Sequence, residues 1–269
     1  MPHARPLQEA PAALLRGLVG VMTDIDDTLT RDGAIEPEAL AALHSLHAAG
    51  LPVIAITGRP LGWSQPFARD WPVAALVAEN GGVALVREGA QVFTEYEQDS
   101  TTRAHHARRL QAVAQRILRE VPGAVLARDS AGRVTDIAID HSEFTHLSAE
   151  GIAAVVAVMQ EEGMTATVSS IHINGWFGTH SKWTGAQWML RRLFGLSGQD
   201  LAEEVTRWVY VGDSTNDQVM FERFPFSVGV ANLRRFADEL VHWPAWITQA
   251  ERGQGFAELA RALLSSRAG

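Results

Sequence analysis

Val21-Met22-Thr23-Asp24-Ile25-Asp26-Asp27-Thr28-Leu29-Thr30 sets an apolar run directly against three acids within four residues. Crowded carboxylates repel one another, and burying them unpaired is costly. A strand end tolerates such a cluster when a cation neutralises it, or when one of the acids does chemistry. A hard divalent ion at Asp24 and Asp26 is therefore expected, in an enzyme. The plainer alternative is that these acids cap the next segment and stay in water, as Asp often does in turns.

Working outward, 18–23 reads as a buried strand, 37–49 as a helix with Leu40, Leu43 and Leu46 on one face, and 51–56 as the next buried strand. A further apolar run at 74–78 ends in Glu79-Asn80-Gly81-Gly82. Strand–helix–strand alternation predicts a parallel sheet with crossover helices. Sites in such sheets lie beyond the carboxyl ends of the strands. The polar clusters Asp24–Thr28, Thr57–Arg59 and Glu79–Gly82 fall there.

The middle of the chain has another texture. A hairpin is expected across 83–94, helices over 101–120 and 148–162, and short strands at 134–139, 165–169 and 171–173. This predicts an inserted α+β module over 84–178. The α/β pattern resumes with a helix over 181–194, a buried strand over 207–211, a short strand over 227–230 and a closing helix over 255–264. The fold class expected is α/β, a Rossmann-like parallel sheet with helices on both faces. Residues 1–16, with Pro2, Pro6 and Pro11, read as a flexible or loosely docked leader before a core formed by 17–83 and 179–269.

The chain has no cysteine, which excludes disulfides, thiolate metal sites and a cysteine nucleophile. Its net charge of −8 argues against a general nucleic-acid binder. No apolar run is long enough to span a bilayer, and no secretory signal is evident, so no membrane partner and a cytoplasmic location are expected.

Gly212-Asp213-Ser214-Thr215-Asn216-Asp217 follows the strand over 207–211 and offers more hard oxygen ligands, suited to Mg²⁺. Asp217 could instead serve only as a favourable charge at a helix start. Asp213, directly after the strand, is harder to explain that way. Thr57 and the backbone N–H groups of Gly58 and Arg59 can hold phosphate oxygens, or form a simple turn. Lys182 stands at a predicted helix start, where the dipole disfavours a cation. An anionic ligand would give it a reason to be there, and a solvated surface lysine is the alternative.

Taken in order, these segments resemble the motifs of the haloacid dehalogenase superfamily of phosphatases. Asp24-Ile25-Asp26-Asp27-Thr28 is similar to its first motif, D-x-D-x-T, Thr57 to its second, Lys182 to its third and Gly212-Asp213-x-x-Asn216-Asp217 to its fourth. The insert occupies the place of the C2-type cap of subfamily IIB, the sucrose-phosphatase and sugar-phosphatase-like group. The resemblance implies that Asp24 attacks phosphorus and that Asp26 protonates the leaving alcohol and then activates water. Thr57, Gly58 and Lys182 would hold the phosphoryl group. Mg²⁺ would be held by Asp24, the Asp26 carbonyl and Asp213, with Asn216 and Asp217 nearby. The substrate would be a small phosphorylated metabolite, a sugar phosphate by the nearest resemblance. A phosphosugar mutase and a catalytically silent phospho-ligand-binding module are the alternatives. Candidate substrate-contacting residues are Arg59, Arg103, Arg133, His172, Asn174 and Trp176. Asp27 stands where many relatives carry glycine, and is expected to point away from the phosphate.

Overall fold

A computed structural model describes residues 4–267. The strand Gly20–Thr23 lies at the middle of its main sheet. On one side follow Val53–Ile56, Ala75–Ala78, Val83–Glu88 and Gln91–Tyr96; on the other, Trp208–Gly212, Phe226–Gly229, Trp246–Ile247 and Arg5–Pro6. Pairing is parallel from Arg5–Pro6 across to Ala75–Ala78, and antiparallel for the last two strands. The sheet is thus mixed at one edge rather than wholly parallel.

Alternation along the central strands feeds two separate cores, as the two-residue strand period requires. Val21, Val53, Ala55, Val209 and Val211 pack on one face with the helices Pro37–Ala48 and Arg252–Ser265. Met22, Ile54, Ile56 and Tyr210 pack on the other with Lys182–Phe194 and Gly198–Val205. Gly20 is fixed by this packing, because a Cβ there would lie 2.5 Å from the Trp208 ring. No described helix is long and apolar enough to cross a membrane.

The insert has its own four-stranded antiparallel sheet, ordered Thr165–Val168, His172–Trp176, Asp136–Asp140, Val125–Leu126. The helices Ser100–Glu120 and Ala149–Glu161 cover one face, around Ile117, Ile139, Val155 and Ile173.

Three expectations change. The hairpin after Gly82 joins the main sheet, its strand Val83–Glu88 pairing with Ala75–Ala78, so the inserted module starts after Tyr96 and not at 84. A hairpin's own alternation does not reveal which sheet it extends. The leader is ordered from Arg5 onward: Arg5–Pro6 pairs with Trp246–Ile247, and Leu7 and Leu15 are buried, while residues 1–3 lie outside the described residues. Proline tolerates an edge strand, where its missing N–H faces no partner. Finally, the strand expected over 134–139 runs over Asp136–Asp140 and is buried throughout; Asp136 accepts from Arg133 and Asn174, which both donate to the Gly58 carbonyl of the main domain. The helix Leu61–Asp70 escapes sequence reading because Gly62 and Pro66 interrupt it.

Candidate active site

Parallel register brings the predicted segments to one edge. Thr23 pairs with both Val211 and Ala55, so Asp24 leaves the sheet between the ends of two neighbouring strands. Its N–H donates to the Val211 carbonyl at 2.9 Å. Thr57 follows Val53–Ile56, and Asp213 follows Trp208–Gly212. Lys182 is the first residue of Lys182–Phe194, a helix capped by the Ser181 hydroxyl, which accepts from the Thr184 N–H at 3.2 Å.

Lys182 is the hub. Its Nζ lies 2.6 Å from Asp24 Oδ1, 2.7 Å from Asp217 Oδ1 and 3.4 Å from Asn216 Oδ1. All four side chains come from separate stretches of chain except the last two, and the ammonium is 2% exposed. The buried-cation alternative to a surface lysine is therefore the observed one. Asp24 and Asp217 hold the Lys182 charge firmly against the burial that opposes it.

Asp217 is saturated. Oδ1 also accepts from the Tyr210 hydroxyl, and Oδ2 from the N–H groups of Asp213 and Ser214 at 3.0 and 3.2 Å. This fold-back explains Gly212, where a Cβ would sit 2.4 Å from Asp217 Oδ2. Asp217 orients Lys182 and the loop, and no lone carboxylate oxygen is left over to bind an ion.

Asp213 is different. Its Oδ2 accepts from Asn232 Nδ2 at 3.1 Å, while its Oδ1 is buried without a hydrogen-bond partner. Oxygens of Asp24, Asp213 and Asp217 all lie within 4.8 Å of one another. Burial raises Asp24 to about 8; Lys182 opposes the rise, and Asp217 and Asp26 add to it. Burial, with Asp24 and Asp217, likewise pushes Asp213 well above the usual carboxylate range. One lysine does not balance this charge. An orphaned buried carboxylate oxygen beside a second buried carboxylate fits a hard divalent cation. Asp24 and Asp213 are the side chains free to hold it.

Asp26 lies across from these groups. Both of its carboxylate oxygens accept from Arg59 Nε, at 3.0 and 3.1 Å. The Thr57 hydroxyl accepts from the Arg59 N–H at 3.0 Å and so shapes this turn. Asp27 turns away with φ +55° and meets Arg252 Nε at 2.6 Å and Arg235 Nη2 at 3.3 Å.

With this geometry in view, the relatives are informative. Residues 21–118 match the model of the haloacid dehalogenase-like hydrolases. A phosphoglycolate phosphatase of Methanothermobacter thermautotrophicus is 25% identical over 249 residues, covering 90% of this chain and 96% of the relative. Among solved structures, a Thermoplasma acidophilum protein superposes with a TM-score of 0.70 at 14% identity, covering 92% of this chain and 99% of its own. The sucrose-phosphatase of Synechocystis, solved with sucrose and phosphate, gives 0.64 at 16% identity, with 92% and 98% covered. By these comparisons the chain is similar to haloacid dehalogenase-like hydrolases.

In this structure the inserted module, the cap, is closed on the core. Arg59 reaches cap residues Glu143 at 2.7 Å and Asp129 at 3.3 Å. Burial works against the Glu143 charge, but hydrogen bonds from His172 and Arg59 hold its carboxyl down at about 2. The carbonyl of Gly58 accepts from Arg133 Nη1 at 2.9 Å and from Asn174 Nδ2 at 3.3 Å. Buried Glu79 accepts from the Thr135 hydroxyl at 2.6 Å. The space bordered by Asp24, Thr57, His172, Asn174 and Asp213 is only about 20 Å³.

Of the cap residues predicted to contact substrate, His172 and Asn174 border that space, with Arg59 from the core. Arg133 is close but committed to Asp129, Asp136 and Gly58. Two are elsewhere. Arg103 lies 3.8 Å over the Tyr96 ring and donates to the Gln98 carbonyl. Trp176 is buried, stacks on His180 and donates to its carbonyl at 2.9 Å. Sequence reading missed Tyr210, Asn232, Arg235, Arg252 and Glu143. Glu143 alone carries a local signal, as an acid in the polar run after the Asp136–Asp140 strand.

Proposed function

We propose that the protein is a Mg²⁺-dependent phosphomonoesterase that hydrolyses a small phosphorylated metabolite through an aspartyl phosphate. The observation that carries this reading is the buried Lys182–Asp24 pair beside the orphaned Asp213 oxygen. A carboxylate nucleophile facing a phosphate dianion needs positive charge beside it, which Lys182 and a cation at the Asp213 oxygen would supply together.

Asp24 Oδ attacks phosphorus, and the bond from phosphorus to the substrate oxygen breaks. Asp26 gives that leaving oxygen its proton. Asp26 then takes a proton from water, whose oxygen attacks phosphorus and releases phosphate from Asp24. Lys182, the Thr57 hydroxyl and the Gly58 N–H hold the phosphoryl oxygens. The ion, held by Asp24, the Asp26 carbonyl and Asp213, would neutralise charge on nucleophile and phosphate. Asn216 and Asp217 support its surroundings through Lys182.

A cleft of about 340 Å³ opens beside Asp26, between core and cap. Thr30, Asp32, Ser142, Glu143 and Ser170 line it with hydroxyls and carboxylates, a lining that suits the hydroxyls of a sugar. This supports a sugar phosphate as substrate. A second reading is a phosphorylated carboxylic acid: Arg59, Arg235 and Arg252 face the same cleft, and one relative is named a phosphoglycolate phosphatase.

Phosphate release across a panel of sugar phosphates and phosphoglycolate separates these. Sugar phosphates are expected to be turned over best with Mg²⁺. Chelation should lower the rate by at least about a hundredfold, and added Mg²⁺ should restore it. Preference for phosphoglycolate would favour the second reading. No metal-dependent release from any member would overturn the proposal.

A further inference from the structure

The hydrogen bonds of Asp26 lead across the domain boundary. Among the described residues, Arg59 is the only side chain hydrogen-bonded to its carboxylate. Arg59 is 5% exposed and comes from the core turn after Val53–Ile56. Its Nη2 also lies 3.0 Å from Asp26 Oδ1, and both terminal nitrogens of the fork reach the cap. Nη2 donates to Glu143 at 2.7 Å and Nη1 to Asp129 at 3.3 Å. Glu143 in turn meets buried His172 Nε2 at 2.8 Å. The loop carrying Glu143 is tied down as well, since Asp140 accepts from the N–H groups of Ser142, Glu143 and Phe144 at 3.1, 2.9 and 3.0 Å.

A single guanidinium therefore orients Asp26, and cap carboxylates orient that guanidinium. Its planar fork transmits direction, because its donors have fixed angles to one another. The 20 Å³ beside Asp24 holds about one water, so a phosphomonoester enters only with the cap displaced. Displacing the cap removes Glu143 and Asp129 from Arg59.

We infer that Glu143 is a positioning residue that makes the acid–base work of Asp26 conditional on cap closure, through Arg59. The inference rests on the reading of Asp26 as acid and base. Proton delivery is assembled by the same movement that encloses the substrate. In the open protein Arg59 and Asp26 are free to reorient together, and a displacement of about 1 Å costs about a hundredfold in rate.

A mere latch and a positioning residue differ in one readout. Loss of a latch weakens closure over every substrate alike. Loss of acid positioning matters more as the leaving oxygen becomes more basic. The test is kcat/KM with Mg²⁺ over aryl phosphates of one shape, from p-nitrophenyl to p-methoxyphenyl phosphate. Glu143→Ala is expected to lower kcat/KM for the p-methoxyphenyl ester at least about tenfold more than for the p-nitrophenyl ester. Asp26→Ala should show the same trend more steeply. Glu143→Gln, which keeps an oxygen for Arg59 Nη2, should fall between Glu143→Ala and the unaltered protein. An equal loss on all esters in Glu143→Ala, with a steep trend in Asp26→Ala, would overturn the inference and leave the acid–base reading standing. A flat profile in Asp26→Ala would remove that reading and the inference with it.

Discussion

Asp24→Asn is expected to abolish phosphomonoester hydrolysis and to leave the protein folded. The amide keeps the shape of the side chain and can still accept from Lys182, but its oxygen is no nucleophile. Loss of at least about 10⁴-fold in kcat is expected, the scale seen when a nucleophile is removed from a site whose groups act as a unit. Stability should change little, for a reason visible in the charges. Asp24 stands among Asp26, Asp213 and Asp217, and burial already raises it to about 8. Neutralising it relieves repulsion, while Lys182 keeps Asp217 at 2.7 Å. Phosphate release and thermal unfolding, measured on the same sample, check both halves. Turnover close to that of the unaltered protein would contradict the nucleophile assignment.

Lys182→Met should damage both activity and stability. The ammonium is buried against two carboxylates, and its loss leaves them facing each other and Asp213. Removing one partner of a buried ion pair costs about 3–5 kcal/mol. In a chain of 269 residues that is a fall in Tm of roughly 6–20 °C. Mg²⁺ should recover more stability in this variant than in the unaltered protein, because the cation supplies charge that the native state then lacks. Activity should fall at least about a hundredfold even with Mg²⁺, since a donor to the phosphoryl group is gone. Thermal unfolding with and without Mg²⁺ tests the first part. An unchanged Tm without metal would contradict the hub role of Lys182.

The contrast between these residues and the cap explains what the sequence revealed. Asp24, Thr57 and Asp213 each follow a short apolar run, and strand ends in an α/β sheet converge at one edge. Their convergence is therefore legible from local pattern and chain order. Lys182 is legible only as an anomaly, a cation at a helix start. The partners of Asp27 lie 208 and 225 positions further on, at Arg235 and Arg252, and no local spacing announces them. Tyr210 reads as one more apolar strand residue until its hydroxyl is seen on Asp217. The hairpin strands Val83–Glu88 and Gln91–Tyr96 have the expected alternation but extend the main sheet rather than the insert, because strand period is blind to pairing partner. Trp176 and Arg103 lie away from the space beside Asp24 for a related reason. Both sit in the insert, but tertiary packing turns the first onto His180 and the second onto Tyr96.

The central claim is that Asp24 carries the phosphoryl group between substrate and water. The most direct measurement is acid quench of the Mg²⁺-loaded protein during turnover, followed by mass analysis of its peptides. Slowing the second step with Asp26→Ala, on p-nitrophenyl phosphate, should let the phosphoenzyme accumulate, because that leaving group departs without an acid. The account predicts one added phosphoryl group on the peptide that contains Asp24, and none when Asp24→Asn is combined with it. Turnover with no phosphorylated peptide at any quench time, or with the group on another residue, would contradict it.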